Sequence, residues 1–398
     1  MGDHILTINA GSSSVKFALF SVEEGAERLV ASGQADGLGA APRFRTRVAG
    51  GEDSEDALNV SNHDEAFRVI MSWIVTTFTD AVVVAVGHRV VHGGLNFAAP
   101  VVLEKEIVSR LWSLAPLAPL HQPHNLAGIE AALLAFPGVP QIACFDTAFH
   151  RGHAFVDDAY ALPRDYFDRG LRRFGFHGLS YESIAHQMSN MDPSSAKGRV
   201  IAAHLGNGAS ACAMKDGRSV ASTMGFSALE GLPMGTRCGQ IDPGLVLYLI
   251  EHERMSVVEL TRLLYEKSGL MGLSGVSSDM RALEASGTRQ AQDAIDYFVH
   301  RLRMEIGALA ATLSGIDALV FTGGIGENSV RMRAAALAGM DWLGLTLNQA
   351  ANIRGEMIIS DARSSAAVYV LRTDEEAVIA RHVVETAGIR QGSWLSRP

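Results

Sequence analysis

The chain carries one strand–turn–strand pattern twice, 195 residues apart. The first copy runs Ile5-Leu-Thr-Ile-Asn9-Ala-Gly11-Ser12-Ser13-Ser14-Val15-Lys16-Phe17-Ala-Leu-Phe20. Two apolar runs around a Gly-Ser-Ser-Ser turn read as a β-hairpin. The second copy is Val200-Ile-Ala-Ala-His204-Leu-Gly206-Asn207-Gly208-Ala-Ser210-Ala-Cys-Ala-Met. Gly11 leaves no Cβ in the way of a ligand and is free to take φ > 0. Successive N–H groups around such a turn can line an anion. Three hydroxyls and Lys16 add donors and positive charge. A phosphate-gripping turn is one reading, and an ordinary Ser-rich loop is the plainer one. The repetition favours the first. A repeat this long is no solenoid; it implies two similar half-molecules, each with its own hairpin.

Two such hairpins facing each other across a cleft would hold a polyphosphate from both sides. That is the arrangement of the actin-like nucleotide-binding fold, inferred here partly by analogy. The length of 398 residues fits two domains. Forty glycines against 12 prolines suit a sheet-rich α/β enzyme with many tight turns. A net charge of −9 argues against wholesale nucleic-acid binding and leaves local anion sites open. Cys144, Cys212 and Cys238 show no paired spacing and read as reduced thiols of a cytoplasmic protein. The N-terminus enters a strand with no signal-peptide pattern. Apolar runs such as Ala81–Val86 fall far short of the ~20 residues that span a membrane.

In chain order, Glu23–Asp56 reads as further strands and loops of the first sheet. Asp64–Thr77 has helical periodicity, with Phe67, Ile70, Met71 and Ile74 on one face. Ala81–Val86 is a buried strand leading into a loop, Gly87-His88-Arg89-Val90-Val91-His92-Gly93-Gly94. A helix ends near Leu134, and the strand Gln141–Phe145 leads to Asp146. Helices follow from Ser180 to Met188 and around 243–252, 257–266 and 291–313. The strand Ala318–Thr322 opens Gly323-Gly324-Ile325-Gly326-Glu327-Asn328, a turn suited to a nucleotide but a weak signal alone. Val368–Arg372 is a last strand, before Asp374-Glu375-Glu376 and a terminal helix.

Five polar residues sit on glycine-flanked segments: Arg89, His121, Asp146, His177 and Arg237. A lone histidine is usually structural and a lone arginine usually a surface ion pair. Together, beside two candidate phosphate turns, they indicate an anionic site, because an arginine fork matches carboxylate or phosphate and positioned cations stabilise a phosphoryl group in transfer. These residues carry a close resemblance to the acetate kinases, within the short-chain carboxylate kinases. The matching motifs are Asn9-Ala-Gly-Ser-Ser-Ser14 with Lys16, His88-Arg89-Val-Val-His92-Gly-Gly, Phe145-Asp146-Thr-Ala-Phe-His150, Gly175-Phe-His177-Gly, His204-Leu-Gly-Asn-Gly-Ala-Ser210, Met234-Gly-Thr-Arg237, Ser277-Ser-Asp279-Met-Arg281 and Phe321-Thr-Gly-Gly-Ile-Gly-Glu-Asn328. They stand in the family's order and cover nearly the whole chain.

The resemblance implies direct transfer of the ATP γ-phosphate to acetate, giving acetyl phosphate and ADP. It places substrate against Arg89, Val91 and His121, with Asp146, His177 and Arg237 catalytic. It associates Asn9 and Glu375 with Mg²⁺, for which Mn²⁺ can substitute. Nucleotide contacts fall on Lys16, His204, Leu205, Gly206, Asn207, Gly208, Asp279, Met280, Arg281, Gly324, Ile325, Gly326, Glu327 and Asn328. The implied fold is α/β: a duplicated, two-domain, actin-like (ribonuclease H-like) fold with an ATP cleft between domains. Residues 1–150 with 377–398 would form an N-terminal domain, and 151–376 a nucleotide-binding and dimerisation domain. A cytoplasmic homodimer with no nucleic-acid or membrane partner is implied.

A carboxylic acid with a pKa of ~4–4.5 is already ionised at neutral pH and needs no general base. Asp146 is therefore expected to orient an arginine or metal-bound water. The chain departs from the family's common pattern at Ser227-Ala228, Gln122, Asp374, Leu179 and Tyr181. Ala228, where a proline often lines the acyl pocket, favours a propionate kinase as the alternative, whereas Val91 favours acetate. A sugar or polyol kinase would need Asp146 as a true base and has no use for two arginines. An actin- or chaperone-like ATPase would need a filament interface or a peptide-binding appendix.

Overall fold

Apolar residues on consecutive strand positions, rather than alternating ones, mark strands covered on both faces, and the central strands of both sheets are of that kind, whereas the outer strands 43–48 and 53–57 of the first sheet alternate or are exposed. The computed structural model describes residues 2–389 except Ser12, Ser13, Glu24, Gly25, residues 39–41, Ser61 and Leu120. The chain divides into two units, one running to Ala148 and resuming at Asp374, the other spanning Phe149–Thr373.

The first unit holds eight strands: β1 (Gly2–Ala10), β2 (Ser14–Glu23), β3 (Ala26–Asp36), β4 (Arg43–Val48), β5 (Asp53–Ala57), β6 (Ala81–Val90), β7 (Val101–Val102) and β8 (Gln141–Phe145), ordered β5-β4-β3-β2-β1-β6-β8-β7. β1 pairs antiparallel with β2 and parallel with β6, which is parallel to β8. The helix His63–Thr77 starts where Asn62 Oδ1 accepts the Glu65 amide at 2.9 Å, an N-cap. Its Phe67, Ile70 and Ile74 join Phe17, Leu19 and Val86 in one core cluster.

The terminal helix Glu375–Ala387 buries Val378, Ile379, Ala380 and Val383. It packs on β6 at Gly87, where a Cβ would lie 2.4 Å from Ile379 Cγ2 and 2.7 Å from Val383 Cγ2. Each such aliphatic side chain stabilises by roughly 1.5–3 kcal/mol when fully buried. Any larger residue at position 87 would lift the helix off.

The second unit holds β9 (Arg199–Leu205), β10 (Ala209–Lys215), β11 (Arg218–Ser222), β12 (Ala318–Thr322) and β13 (Ala367–Val370), ordered β11-β10-β9-β12-β13. β9–β10 and β10–β11 are antiparallel, and β9–β12 and β12–β13 are parallel. This is the pairing scheme of β3-β2-β1-β6-β8. The duplication expected from two hairpins is thus a duplication of five strands. The helix Gly178–Met191 contributes Tyr181, Ile184 and Met188 to a core with Val200, Ala202 and Val320. The helix Arg289–Leu313 packs on β9 and β10. Among the described residues no helix is long and apolar enough to cross a membrane.

The structure differs from the sequence reading in three places. β6 runs on to Val90, so His88 and Arg89 belong to a strand and not to a loop. Gly11 does not use the left-handed region; its N–H donates to the Ser14 carbonyl at 2.8 Å, while Ser12 and Ser13 lie outside the described residues. Asp374, Glu375 and Glu376 group with the first unit, because the terminal helix they begin covers its sheet.

Candidate active site

Strand register places the first group of residues. Thr7 pairs with Gly87, so Asn9 and Arg89, each two residues on, share a sheet face. Arg89 pairs with Cys144, so Asp146, just beyond β8, lies on that face too. All three stand at the carboxyl ends of adjacent parallel strands, the usual place for a ligand in open α/β sheets. Because Gly87 admits the terminal helix two residues before Arg89, the first turn of that helix, Glu375, reaches the same spot.

Arg89 is the centre of this group. Its Nε and Nη2 donate to Asp146 Oδ1 and Oδ2 at 3.0 and 2.7 Å, a bidentate pair, and Asp146 is buried. Nη1 faces Asn9 Oδ1 at 3.4 Å and Glu375 Oε2 at 3.6 Å. Burial alone would depress the guanidinium pKa; the charges of Asp146 and Glu375 outweigh it and raise the pKa. Asp146 takes the Nε/Nη2 edge of the fork and so fixes where the Nη1/Nη2 edge points. Val91 is buried next to this strand end, its N–H donating to Asn125 Oδ1 at 3.0 Å, while Asn125 Nδ2 donates to the Ala10 carbonyl at 2.6 Å. Gln122 clamps His92 by accepting its N–H at 3.1 Å and donating to its carbonyl at 3.0 Å. His121, half-buried, is the N-cap residue of the helix Gln122–Ala135.

Asn9, Asp146 and Glu375 offer the amide and carboxylate oxygens that suit a hard cation such as Mg²⁺. Among the described residues no three His, Cys, Asp or Glu side chains are grouped to hold a metal by themselves.

In the second unit the Gly206–Gly208 turn is closed by Gly206 N–H donating to the Gly208 carbonyl at 2.9 Å. His177 leans on this turn: a Cβ on Gly208 would lie 3.3 Å from His177 Nε2. The His177 ring stacks on His204, with centroids 4.4 Å apart. His177 sits at φ 57°, ψ 25°, as N-cap of the helix Gly178–Met191, a left-handed conformation rare outside glycine. Such strain persists only where neighbours enforce it. Here His150 Nε2 donates to the Phe176 carbonyl at 2.9 Å, and Gly175, at φ 73°, lies so close to the His150 ring that a Cβ would approach it to 2.6 Å.

Arg237 Nη1 donates to the Ala228 carbonyl at 3.2 Å, and burial lowers the guanidinium pKa. The loop bearing Ala228 is itself pinned. Tyr160 Oη donates to Glu230 Oε2 and accepts the Phe226 N–H, both at 2.7 Å, and Arg173 pairs with Glu230 at 2.7 Å.

A groove of about 590 Å³ is lined by Gly206, Asn207, Asp279, Met280, Arg281, Gly324, Ile325 and Asn328, together with Ser278, Glu284 and Ser329. Most expected nucleotide residues therefore share one surface. Others do not line it. Leu205 and Gly326 are buried beneath it. Glu327 turns its carboxylate inward, accepting from Gly323 N–H at 2.9 Å. Lys16 lies on the first unit, in a different groove with Asp374 and Glu376. Sequence reading missed Arg333, which is 1% exposed. Its Nη1 donates to the Gly326 and Glu327 carbonyls, both at 2.8 Å, and its Nε to Asn352 Oδ1 at 2.7 Å. A buried arginine has no periodicity signal and looks like a surface residue. Asn125, Gln122, Tyr181 and Ser210 were also missed as site supports, because their partners are remote in sequence.

The chain is similar to known proteins along nearly its whole length. Residues 4–381 match the model of the acetokinase family. An acetate kinase of Methylocella silvestris is 53% identical over 391 residues, covering 96% of this chain and 97% of that protein. A crystal structure of Porphyromonas gingivalis acetate kinase matches with a TM-score of 0.85 at 34% identity, covering 97% of this chain and 100% of that one. A propionate kinase from Francisella tularensis matches with a TM-score of 0.88 at 34% identity, covering 96% and 98%. The two units are thus the duplicated halves of an actin-like α/β fold.

Proposed function

The chain belongs to the acetokinase family, and from that premise we propose that it reversibly transfers the γ-phosphate of ATP to acetate, giving acetyl phosphate and ADP by direct in-line displacement. The observation that carries this reading is the Arg89 fork, held on one edge by Asp146 at the ends of three parallel strands. The Nη1/Nη2 edge binds the acetate carboxylate, and Val91 bounds its methyl group, with His121 on the substrate side. The carboxylate attacks as the anion it already is, so Asp146 holds Arg89 and takes no proton from substrate. His177 and Arg237 donate to the phosphoryl oxygens as charge redistributes in transfer. The groove around Asp279–Arg281 and Gly324–Asn328 takes the nucleotide, with Gly206–Gly208 facing its phosphates and Leu205, Gly326 and Glu327 supporting the wall. Asn9 and Glu375 would hold Mg²⁺, which when bound neutralises much of the polyphosphate charge.

A homodimer is part of the reading. The helix Pro243–Glu251 buries none of its residues, and Leu245, Leu247, Tyr248 and Ile250 are exposed on it; a second copy would cover that face. The cytoplasm, where ATP and acetyl phosphate meet, is the proposed location. Ala228 supports a second reading, propionate as the better acceptor.

One hydroxamate assay separates these, run with acetate, propionate, butyrate and glycerol. Acetate is expected to be the best acceptor, and glycerol inert. Phosphorylation of glycerol without any hydroxamate would overturn the reading. Arg89→Ala should raise the KM for acetate far more than that for ATP, and Arg89→Lys should recover only part, lacking the planar fork.

A further inference from the structure

We propose that Glu230 is a positioning residue whose carboxylate ties the loop that anchors Arg237 to the segment that leads into His177. The inference deepens the proposed reaction and rests on the reading that His177 and Arg237 both serve the phosphoryl group.

The half-buried Glu230 carboxylate accepts on both oxygens, from two different parts of the chain. On one side Arg173 Nη1 donates to Oε1 at 2.7 Å. Arg173 opens the run Arg173-Phe174-Gly175 that leads to His177. On the other side Tyr160 Oη donates to Oε2 at 2.7 Å, and that hydroxyl oxygen accepts the Phe226 N–H at 2.7 Å. The two segments also meet through their backbones. The Gly225 carbonyl accepts the Phe174 N–H at 2.9 Å and the Gly175 N–H at 3.3 Å. Gly225 has no room for a Cβ, which would run into the Glu230 carboxylate and the Tyr160 hydroxyl. The far end of the loop is closed as well. Gln240 N–H donates to the Gly231 carbonyl at 2.9 Å, and the Gln240 side chain accepts from Arg301. Between these ends stands Ala228, whose carbonyl accepts from Arg237 Nη1 at 3.2 Å. Glu230 follows it by two residues. A shift of the carboxylate therefore moves the anchor of Arg237 relative to His177. Two groups that serve one phosphoryl group tolerate little of that, since a displacement of about 1 Å can cost about a hundredfold in rate.

The test compares Glu230→Gln and Tyr160→Phe with the wild type in the full chain. Glutamine keeps the shape, but its single oxygen replaces a pair that serves two donors. Either change should lower kcat about ten- to a hundredfold and leave KM for ATP unchanged. In an Arg237→Ala background, Glu230→Gln should cost less than about threefold more, because residues that act through one another are not additive. Deuterium uptake should rise in peptides covering 172–177 and 225–231, and not in the first unit. Unchanged kcat in Glu230→Gln, unchanged uptake in both peptides, or the full loss repeated in Arg237→Ala would each overturn the proposal. Wild-type turnover in Arg237→Ala would instead remove Arg237 from the reaction, while deuterium uptake would still judge whether Glu230 holds the loop.

Discussion

In the first unit β1, β6 and β8 lead into Asn9, Arg89 and Asp146; in the second the equivalent β9, β12 and β13 lead into His204, Thr322 and Val370. One set of strand ends is charged. Arg89 meets two carboxylates and an amide there, and its partner Asp146 is buried. The other set carries imidazole, hydroxyl and glycine backbone, with an ion pair, Asp279–Arg281, at the exposed margin of the groove. A shared pairing scheme delivers chain ends to equivalent places, and the residues after each strand decide what they grip. A small carboxylate offers little but charge, so it is met by a rigid fork. A nucleotide offers a large surface, so it can be met by shape and backbone.

The largest expected effect is in the charged half. Asp146→Asn replaces an acceptor of two guanidinium bonds by an amide and should lower kcat by about 10²–10³, read by steady-state turnover, with partial rescue at high Mg²⁺. Asp279→Asn, in the other half, should cost far less. Equal losses would mean that the two halves do not differ in the way described.

Arg333→Met sharpens the contrast from the other side. It leaves the Gly326 and Glu327 carbonyls and Asn352 without their donor, and should destabilise by about 1–3 kcal/mol in denaturant titration. KM for ATP should rise and KM for acetate should not. A matching rise for acetate would move Arg333 out of the nucleotide half.

A smaller effect concerns acyl length. A pocket separates substrates differing by one methylene by about 10–200-fold. Val91→Ala should shift kcat/KM from acetate toward propionate, and Ala228→Pro should shift it back. Unchanged ratios in both would remove these residues from the acyl pocket.

The smallest effect is in pH dependence. Burial, with Arg151 and Arg173 nearby, pushes His153 down to about 4, and burial, with His153, takes His150 well below its ordinary value. In the first unit burial pushes His88 down to about 4 despite its bond to Gln141. Unfolded histidine binds a proton near 6.5, so the unfolded chain holds the extra protons as pH falls from about 6.5 to 4, and stability is lost across that window. Amide protection factors, taken relative to the intrinsic exchange rate at each pH, should therefore fall more in the second unit than in the first. A uniform response would deny that the two histidines there are buried neutral.

The sequence showed both hairpins, because a glycine turn between apolar runs is a local signal. It also placed Asp146 at a strand end, because Gln141–Phe145 is apolar throughout. It misread Gly87-His88-Arg89 as a loop, since three polar or flexible residues look like one. Tertiary contacts explain why they are strand: the terminal helix fills the space above Gly87, Gln141 satisfies His88 at 2.7 Å, and Asp146 satisfies Arg89. The strained backbone of His177 left no trace in composition, because its cause is His150 packed against Gly175. Lys16, expected to contact phosphate because it follows the turn, lines a groove with Asp374 and Glu376, residues remote from it in sequence.

The position of the terminal helix has a consequence for how the chain is made. Residues 149–373 are continuous and contain a whole sheet with its covering helices. The first unit is interrupted by them, and the helix that covers β6 at Gly87 leaves the ribosome only after all of them have been synthesised. The inserted unit can therefore fold before the one that encloses it in sequence, against the usual N-to-C order of domain folding. Until the last helix docks, one face of the first sheet stays bare and Arg89 waits for Glu375, so the half of the chain made first is completed by the residues made last.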